Sequence, residues 1–150
     1  MEANEGIRPL LRELITGQKL AMLATHKGGQ PYASLVAFCA SDDLRFLYLA
    51  TPRATRKFGN LQSDCRTALL ITSSANQETD FHEAVAVTVL GSAGEVTGPE
   101  KEAGLKRYLQ KHPYLEDFVR SPTCALVKVN VRTYILVKNF QYVTELHFEP

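Results

Sequence analysis

The chain has 150 residues, 45% of them hydrophobic and 22% charged, with a formal net charge of +1. That length suits a single ordinary domain spanning residues 1–150, and the near-neutral balance gives no global electrostatic case for nucleic acid or an anionic membrane. Cys39, Cys65 and Cys124 are scattered without metal or redox spacing, which fits free thiols in a reducing compartment. The opening stretch carries acidic residues where a signal peptide carries positive charge, and no apolar run approaches the roughly 20 residues that cross a bilayer. A soluble, cytoplasmic protein is the expectation.

In chain order, Ile7, Leu10, Leu11, Leu14 and Ile15 share one helical face, with Pro9 in the first turn and Gly17 as a stop. Residues 20–26 then read as a strand, KGGQP as a hairpin turn, and residues 32–39 and 44–50 as further strands of an antiparallel meander. Several of these strands are apolar on both faces, as expected where one face lines a barrel and a helix or partner covers the other. Residues 52–63 break the pattern as a short helix with Phe58 and Leu61 facing inward, and residues 66–72 resume a strand.

A polar loop, SSANQETDFHEA, precedes the alternating Val85, Val87 and Val89, and that strand runs on through Glu95 and Val96. Gly91 and Gly94 mark bulges or bends that help a sheet curl. A second helix runs from about Pro99 to His112, with Leu105, Tyr108, Leu109 and His112 on one face and Pro113 ending it. In the last long strand, Ala125, Val127, Val129, Val131 and Thr133 alternate with Lys128, Asn130 and Arg132. The expected fold is mainly β (α+β), a closed or nearly closed barrel of six antiparallel strands with two main helices and one short one.

The segment 47–71 carries the most chemistry. A strand ends at Ala50, Thr51 follows, and Arg53, Thr55, Arg56 and Lys57 crowd the start of the short helix. Hydroxyls, cations and free backbone N–H groups at a helix N-terminus form a phosphate site, and arginine can hold two phosphate oxygens at once. A cationic first turn opposes the helix dipole, so helix stability does not explain it. The local pattern by itself fits a solvated basic cluster equally well.

The order of elements here resembles the pyridoxamine 5′-phosphate oxidase-like superfamily of FMN-binding split β-barrels. A strand ending in Thr51 leads to the triplet Thr55-Arg56-Lys57, and Arg66-Thr67-Ala68-Leu69-Leu70 follows. The likeness extends through VTVLGSAGEV and KRYLQKHP and spans roughly residues 7–137. It implies that Arg56 and Lys57 bind the FMN phosphate and that Thr51 and Thr55 donate hydrogen bonds. It also implies that the backbone of Ala33, Ser34, Leu35 and Val36, with Ala50, lies beside the isoalloxazine ring. The cofactor would sit between the subunits of a homodimer, with Phe140 or Tyr142 as a contribution from the partner. The resemblance implies a flavin-dependent oxidoreductase acting on a small molecule. A non-catalytic flavin-binding or sensor protein, a haem-handling protein and a deazaflavin-dependent reductase of the same superfamily are the alternatives.

Departures from the family pattern argue against true pyridoxamine phosphate oxidation. The strand YASLVAFC lacks the Arg and Lys of the oxidases, and Ala86 stands where they carry Gln. The chain also closes on YVTELHFEP where the oxidases have a basic tail. Tyr108 matches a substrate-phosphate position on the helix, but His112 replaces an Arg, and histidine is the weaker clamp. Facing a flavin, Tyr108 and His112 would form a proton-donating pair; in the simpler reading they pack and cap the helix end. A haem version requires His112 or His147 as iron ligand. His26 reads as a solvated strand end, Cys39 as a small core residue, and no His/Cys spacing points to a metal.

Overall fold

The computed structural model describes residues 6–150. Met1–Glu5, on which part of the argument against a signal segment rests, lie outside the described residues. Strands β1 (Leu20–Lys27) and β2 (Gln30–Ala40) are joined by Gly28 and Gly29, at φ +57° and +80°. Positive φ at both central positions is the mirror-image turn whose twist matches a hairpin, so KGGQP is the turn its glycines predicted. Next come β3 (Phe46–Pro52), β4 (Arg66–Thr72), β5 (Val85–Glu95) and β6 (Cys124–Lys138).

The strand order β3–β2–β1–β4–β5–β6 is closed by β3 pairing with β6, from Phe46↔Asn130 to Pro52↔Cys124. All pairings are antiparallel, and the result is the expected six-stranded barrel. Only the first half of β6, up to Asn130, faces β3; the second half extends past the barrel and takes a seventh strand, β7 (Tyr142–His147), on the vacated edge. Sequence reading ended the strand near Thr133 and left β7 out, because YVTELH lacks a consistent apolar face of its own. An exposed β6 edge needs a hydrogen-bonding partner, and β7 supplies it.

Where β6 changes partner, its register against β5 shifts: Leu90 pairs with Thr133 but Gly91 with Val131, leaving Arg132 as the extra residue. Backbone approaches backbone so closely there that a Cβ on residue 91 would lie 2.2 Å from the Asn130 carbonyl oxygen. The bulge expected at Gly91 is therefore present, with a steric reason for the glycine.

Helices stop the two ends of the barrel. At the end where β2 passes into β3, α1 (Arg8–Gly17) buries Leu11, Leu14 and Ile15. At the end where β1 turns into β2, α2 (Arg56–Ser63) buries Phe58 and Leu61. Both join the barrel core of Leu23, Phe38, Leu49, Leu69, Val87 and Val127. A four-residue helix, α3 (Asp80–Glu83), organises the segment read as a polar loop.

A second apolar cluster lies on the outer surface of β2, β3 and β6, beneath α4 (Gly98–Lys111) and α5 (Glu116–Arg120). It contains Leu105, Tyr108, Val119, Cys39, Ala50 and Leu126. Gly104 lets α4 approach: a Cβ there would lie 2.8 Å from the Leu126 side chain. The outer surface of β1 and β4 has no such cover. Leu20, Met22, Leu35 and Leu70 are 43–59% exposed there, and Leu35, Met22 and Leu70 stand opposite one another across three strands.

The Gly91→Ala variant is expected to lose roughly 1–3 kcal/mol of stability, the usual range for forcing extra atoms into a packed site. Chemical denaturation reads this directly; an unchanged midpoint would show that β5 and β6 do not cross as closely as described.

Candidate functional site

Thr51, the penultimate residue of β3, is completely buried. Its hydroxyl lies 2.9 Å from that of Thr55 and 3.1 Å from the Pro52 carbonyl oxygen, which Thr55 Oγ1 also approaches at 2.9 Å. Two hydroxyl protons thus bind one carbonyl and one another. Thr55 is also the N-cap of α2, accepting from the Phe58 N–H at 3.3 Å. These threonines, expected as direct phosphate donors, are committed to shaping the corner. Capping by a hydroxyl is what allows α2 to begin at Arg56.

The cations around the corner differ in their partners. Arg53 is tied down: its guanidinium forms a two-point ion pair with Glu95, 2.6 Å at the closer contact, and donates to the Pro122 carbonyl. That guanidinium holds the Glu95 carboxyl below its ordinary range. Among the described residues Arg56 and Lys57 have no carboxylate partner, and the Arg56 guanidinium lies 5.4 Å from the centre of the Tyr32 ring. The first backbone hydrogen bond of α2 runs from Gly59 to Thr55, so the N–H groups of Arg56 and Lys57 precede the ladder and point out of it. Two cations without a carboxylate partner among the described residues, beside two N–H groups ahead of the ladder, give this helix start the chemistry that suits an anion.

The corner opens into a groove of about 520 Å³ lined by Lys27, Gln30, Tyr32, Arg56 and Asn60. Asn60, buried on α2, donates to the buried Thr25 hydroxyl of β1 at 3.1 Å and fixes the helix to the barrel. Tyr32, Lys27 and Asn60 escaped sequence reading. Lys27 and Gln30 flank the double glycine, and that was the available signal for a cation beside the corner.

On β2, Ala33 and Leu35 point outward to the open face, Leu35 being 59% exposed, while Ser34 and Val36 point into the barrel. The Ser34 hydroxyl is buried without a hydrogen-bond partner. Ala50, expected on the same wall, instead packs in the cluster beneath α4. Tyr108 and His112 also lie there: the Tyr108 hydroxyl donates to the Ala37 carbonyl (3.3 Å), His112 Nε2 donates to the Phe38 carbonyl (2.7 Å), and their rings are 4.9 Å apart. Both side chains stitch α4 to β2. Burial raises the Tyr108 phenol above its ordinary value and lowers the His112 imidazole, and both polar atoms are already spent on backbone carbonyls.

The remaining candidates are occupied. His147 meets the Thr133 hydroxyl through Nδ1 at 3.0 Å and the Glu145 carboxylate through Nε2 at 3.3 Å. His26 pairs with Asp64 at 3.1 Å. Cys39 is buried, its thiol pushed up to about 12 chiefly by desolvation, and is inert as a nucleophile. Among the described residues no group of His, Cys, Asp and Glu is placed to hold a metal, and no helix is long and apolar enough to cross a membrane.

The molecule is a six-stranded antiparallel barrel of the split-barrel class, with a cationic corner at the start of α2 and an exposed apolar row on β1, β2 and β4. Its sequence matches the pyridoxamine 5′-phosphate oxidase family over residues 7–138, and the chain belongs to that family. No curated protein matches it. Among solved structures, it is similar to a heme binding protein from Mycobacterium smegmatis (TM-score 0.81, 18% identity, 91% of this chain and 55% of the other). This chain thus spans about half the length of that relative. It is also similar to a FAD-binding protein from Mesorhizobium loti (TM-score 0.68, 15% identity, 91% of this chain and 90% of the other). A third is a Clostridium acetobutylicum protein related to general stress protein 26, of the pyridoxinephosphate oxidase family (TM-score 0.72, 15% identity, 95% of each chain). At these identities the likeness shows the fold.

His112 gives a pH signature of the α4 contact. Its folded pKa lies below the ordinary 6.5, so the unfolded chain takes the proton first and stability falls as pH drops through that value. The His112→Gln variant keeps an amide donor for Phe38 and cannot titrate. The stability gap between wild type and variant is expected to shrink from pH 7.5 to pH 5.5 in denaturant titrations. A gap independent of pH would place a solvated imidazole at residue 112.

Proposed function

We propose that the chain binds FMN as a homodimer and works as a flavin-dependent oxidoreductase on a small molecule. The observation that carries this reading is the corner at the start of α2. Arg56 and Lys57 stand there without carboxylate partners while the neighbouring Arg53 is fully engaged. A phosphate monoester matches two cations and two free backbone N–H groups. The membership in the family supports the same assignment, and so does the relative named as binding FAD.

The residues present fit the cofactor. The corner would hold its phosphate, and the outer edge of β2 at Ala33 and Leu35 offers a flat apolar surface for its ring. Bound flavin supplies hydride and single-electron transfer, while the chain binds, orients and dries the site. The row Leu35–Met22–Leu70, exposed on one protomer, is the surface that a second copy would cover.

Two solved structures of this fold are named for haem. In this structure His112 is buried against β2 with Nε2 on the Phe38 carbonyl, and both nitrogens of His147 have partners, so neither histidine is set out as an open iron ligand. Flavin is therefore the preferred ligand. A deazaflavin would use the same corner for its phosphate, and mass spectrometry of the ligand released from purified protein separates the two.

Removing both charges in Arg56→Ala/Lys57→Ala is expected to weaken FMN binding at least about a hundredfold with the fold intact, since each charged hydrogen bond contributes roughly 1.5–3 kcal/mol. Flavin fluorescence titration measures the loss, and wild-type affinity in the double variant would move the phosphate elsewhere. Separately, Met22→Asp is expected to convert a dimer into monomers in sedimentation velocity. A dimer that persists would locate the subunit contact on another face.

A further inference from the structure

The far end of the open face holds a pocket that neither the anion corner nor the barrel core uses. It has a volume of about 550 Å³, with Leu70, Ala86, Val137, Phe81 and Phe140 among its walls. Leu70 belongs to both this pocket and the apolar row across β4, β1 and β2, so the two surfaces are continuous. Phe81 on α3 and Phe140 on the β6–β7 turn come together over it, ring centres 5.7 Å apart and tilted by 41°. Both rings are more than 60% exposed in spite of this contact.

The backbone pins each ring in place. The β6–β7 turn has only two central residues, Asn139 at φ +52° and Phe140 at φ +59°, closed by the Gln141 N–H on the Lys138 carbonyl. Asparagine tolerates this left-handed region, but a bulky aromatic at the second position, where glycine is usual, is strained. Strain of this kind persists where it positions a side chain for use. On the other wall, the Asp80 carboxylate accepts from the Ala75 and Gln77 N–H groups at 3.0–3.1 Å and organises the segment that presents Phe81. The charged residues that line the pocket are Glu78 and Asp80, and no lysine or arginine does so.

We infer that the Phe81–Phe140 pocket binds an uncharged planar aromatic molecule, the reaction partner of the flavin proposed above. A tilted pair of rings and aliphatic walls suit a flat apolar ligand. Carboxylates at the rim, with no cation to answer a negative group, select against phosphorylated or carboxylated ones. The charge pattern is the reverse of that at the α2 corner, so cofactor and substrate are sorted by charge. The binding function stands on the pocket; the role as reaction partner rests on the flavin reading.

The test uses the purified full chain and two fluorescent probes of similar shape, uncharged N-phenyl-1-naphthylamine and its sulfonated counterpart 8-anilino-1-naphthalenesulfonate. Titrations are run on wild type, Phe81→Ala and Phe140→Asn, the last keeping a residue suited to the left-handed turn. Wild type is expected to bind the neutral probe at least tenfold more tightly than the sulfonate. Each variant is expected to lose at least tenfold for the neutral probe, with FMN affinity and sedimentation coefficient unchanged. Equal affinity for the two probes, or variants that bind as wild type does, would overturn the inference. So would a Phe140→Asn protein that changes its oligomeric state, since a second copy would then be what fills the pocket. If the neutral probe binds in a phenylalanine-dependent way to a chain that never takes up FMN, the reaction-partner role falls together with the flavin reading.

Discussion

The pairing of β3 with β6 fixes nearly everything else. It joins residues almost eighty positions apart in sequence and turns an open sheet into a barrel, leaving no free edge along either strand's paired half. It also sets where β3 leaves the sheet. Pro52 lies opposite Cys124, the Arg53 N–H donates to the Thr123 carbonyl, and the Arg53 side chain is held by Glu95 and Pro122. With the exit fixed in this way, Thr51 and Thr55 can close their hydroxyl contact and α2 can start at Arg56. The anion corner is a product of barrel closure, and Arg53 serves that closure through its position instead of offering its charge to a ligand.

The second constraint is uneven cover. A barrel strand has an inner and an outer face, and β1, β2 and β4 are apolar on both. Helices α4 and α5 bury the outer surface on one side only. On the other side Met22, Leu35 and Leu70 face water, aligned across three strands. Isolated exposed apolar side chains are ordinary, but an aligned row on a flat sheet is a surface shaped for another body. The anion corner lies at one end of β2, beyond Ala33, and the aromatic pocket begins at Leu70.

Much of the barrel could be read from sequence because alternation and turn chemistry are local. The double glycine, the Val85–Val89 alternation and the short helix with Phe58 and Leu61 inward all depend on near neighbours, and the structure has them. Arg56 and Lys57 could be placed at the start of that helix for the same reason, while the phosphate assigned to them came from the family resemblance, since the local pattern fits a solvated basic cluster equally well. What escaped depends on distant partners. Strand β7 exists because β6 outruns the barrel, and YVTELH has little strand signal without that neighbour. Arg53 looked like a third phosphate cation because Glu95 is 42 residues away. Ala50 was assigned to the ring wall by the family resemblance; its packing beneath α4 depends on a helix some fifty residues later and could not be read locally.

Tyr108 and His112 carry this argument furthest into chemistry. Their spacing on α4 is that of a pair reaching one target, and a family pattern aims such a pair at a substrate phosphate. Here both instead reach backbone carbonyls of β2, at Ala37 and Phe38, and lie buried against the sheet. Replacing a guanidinium by an imidazole at residue 112 makes that possible, because a neutral ring can be buried at modest cost where a permanent cation cannot. The exchange trades an anion clamp for a rivet between helix and sheet. Residue 112 thus serves the packing of α4 on β2, and the cations at the start of α2 belong to a different, solvent-facing part of the same scaffold.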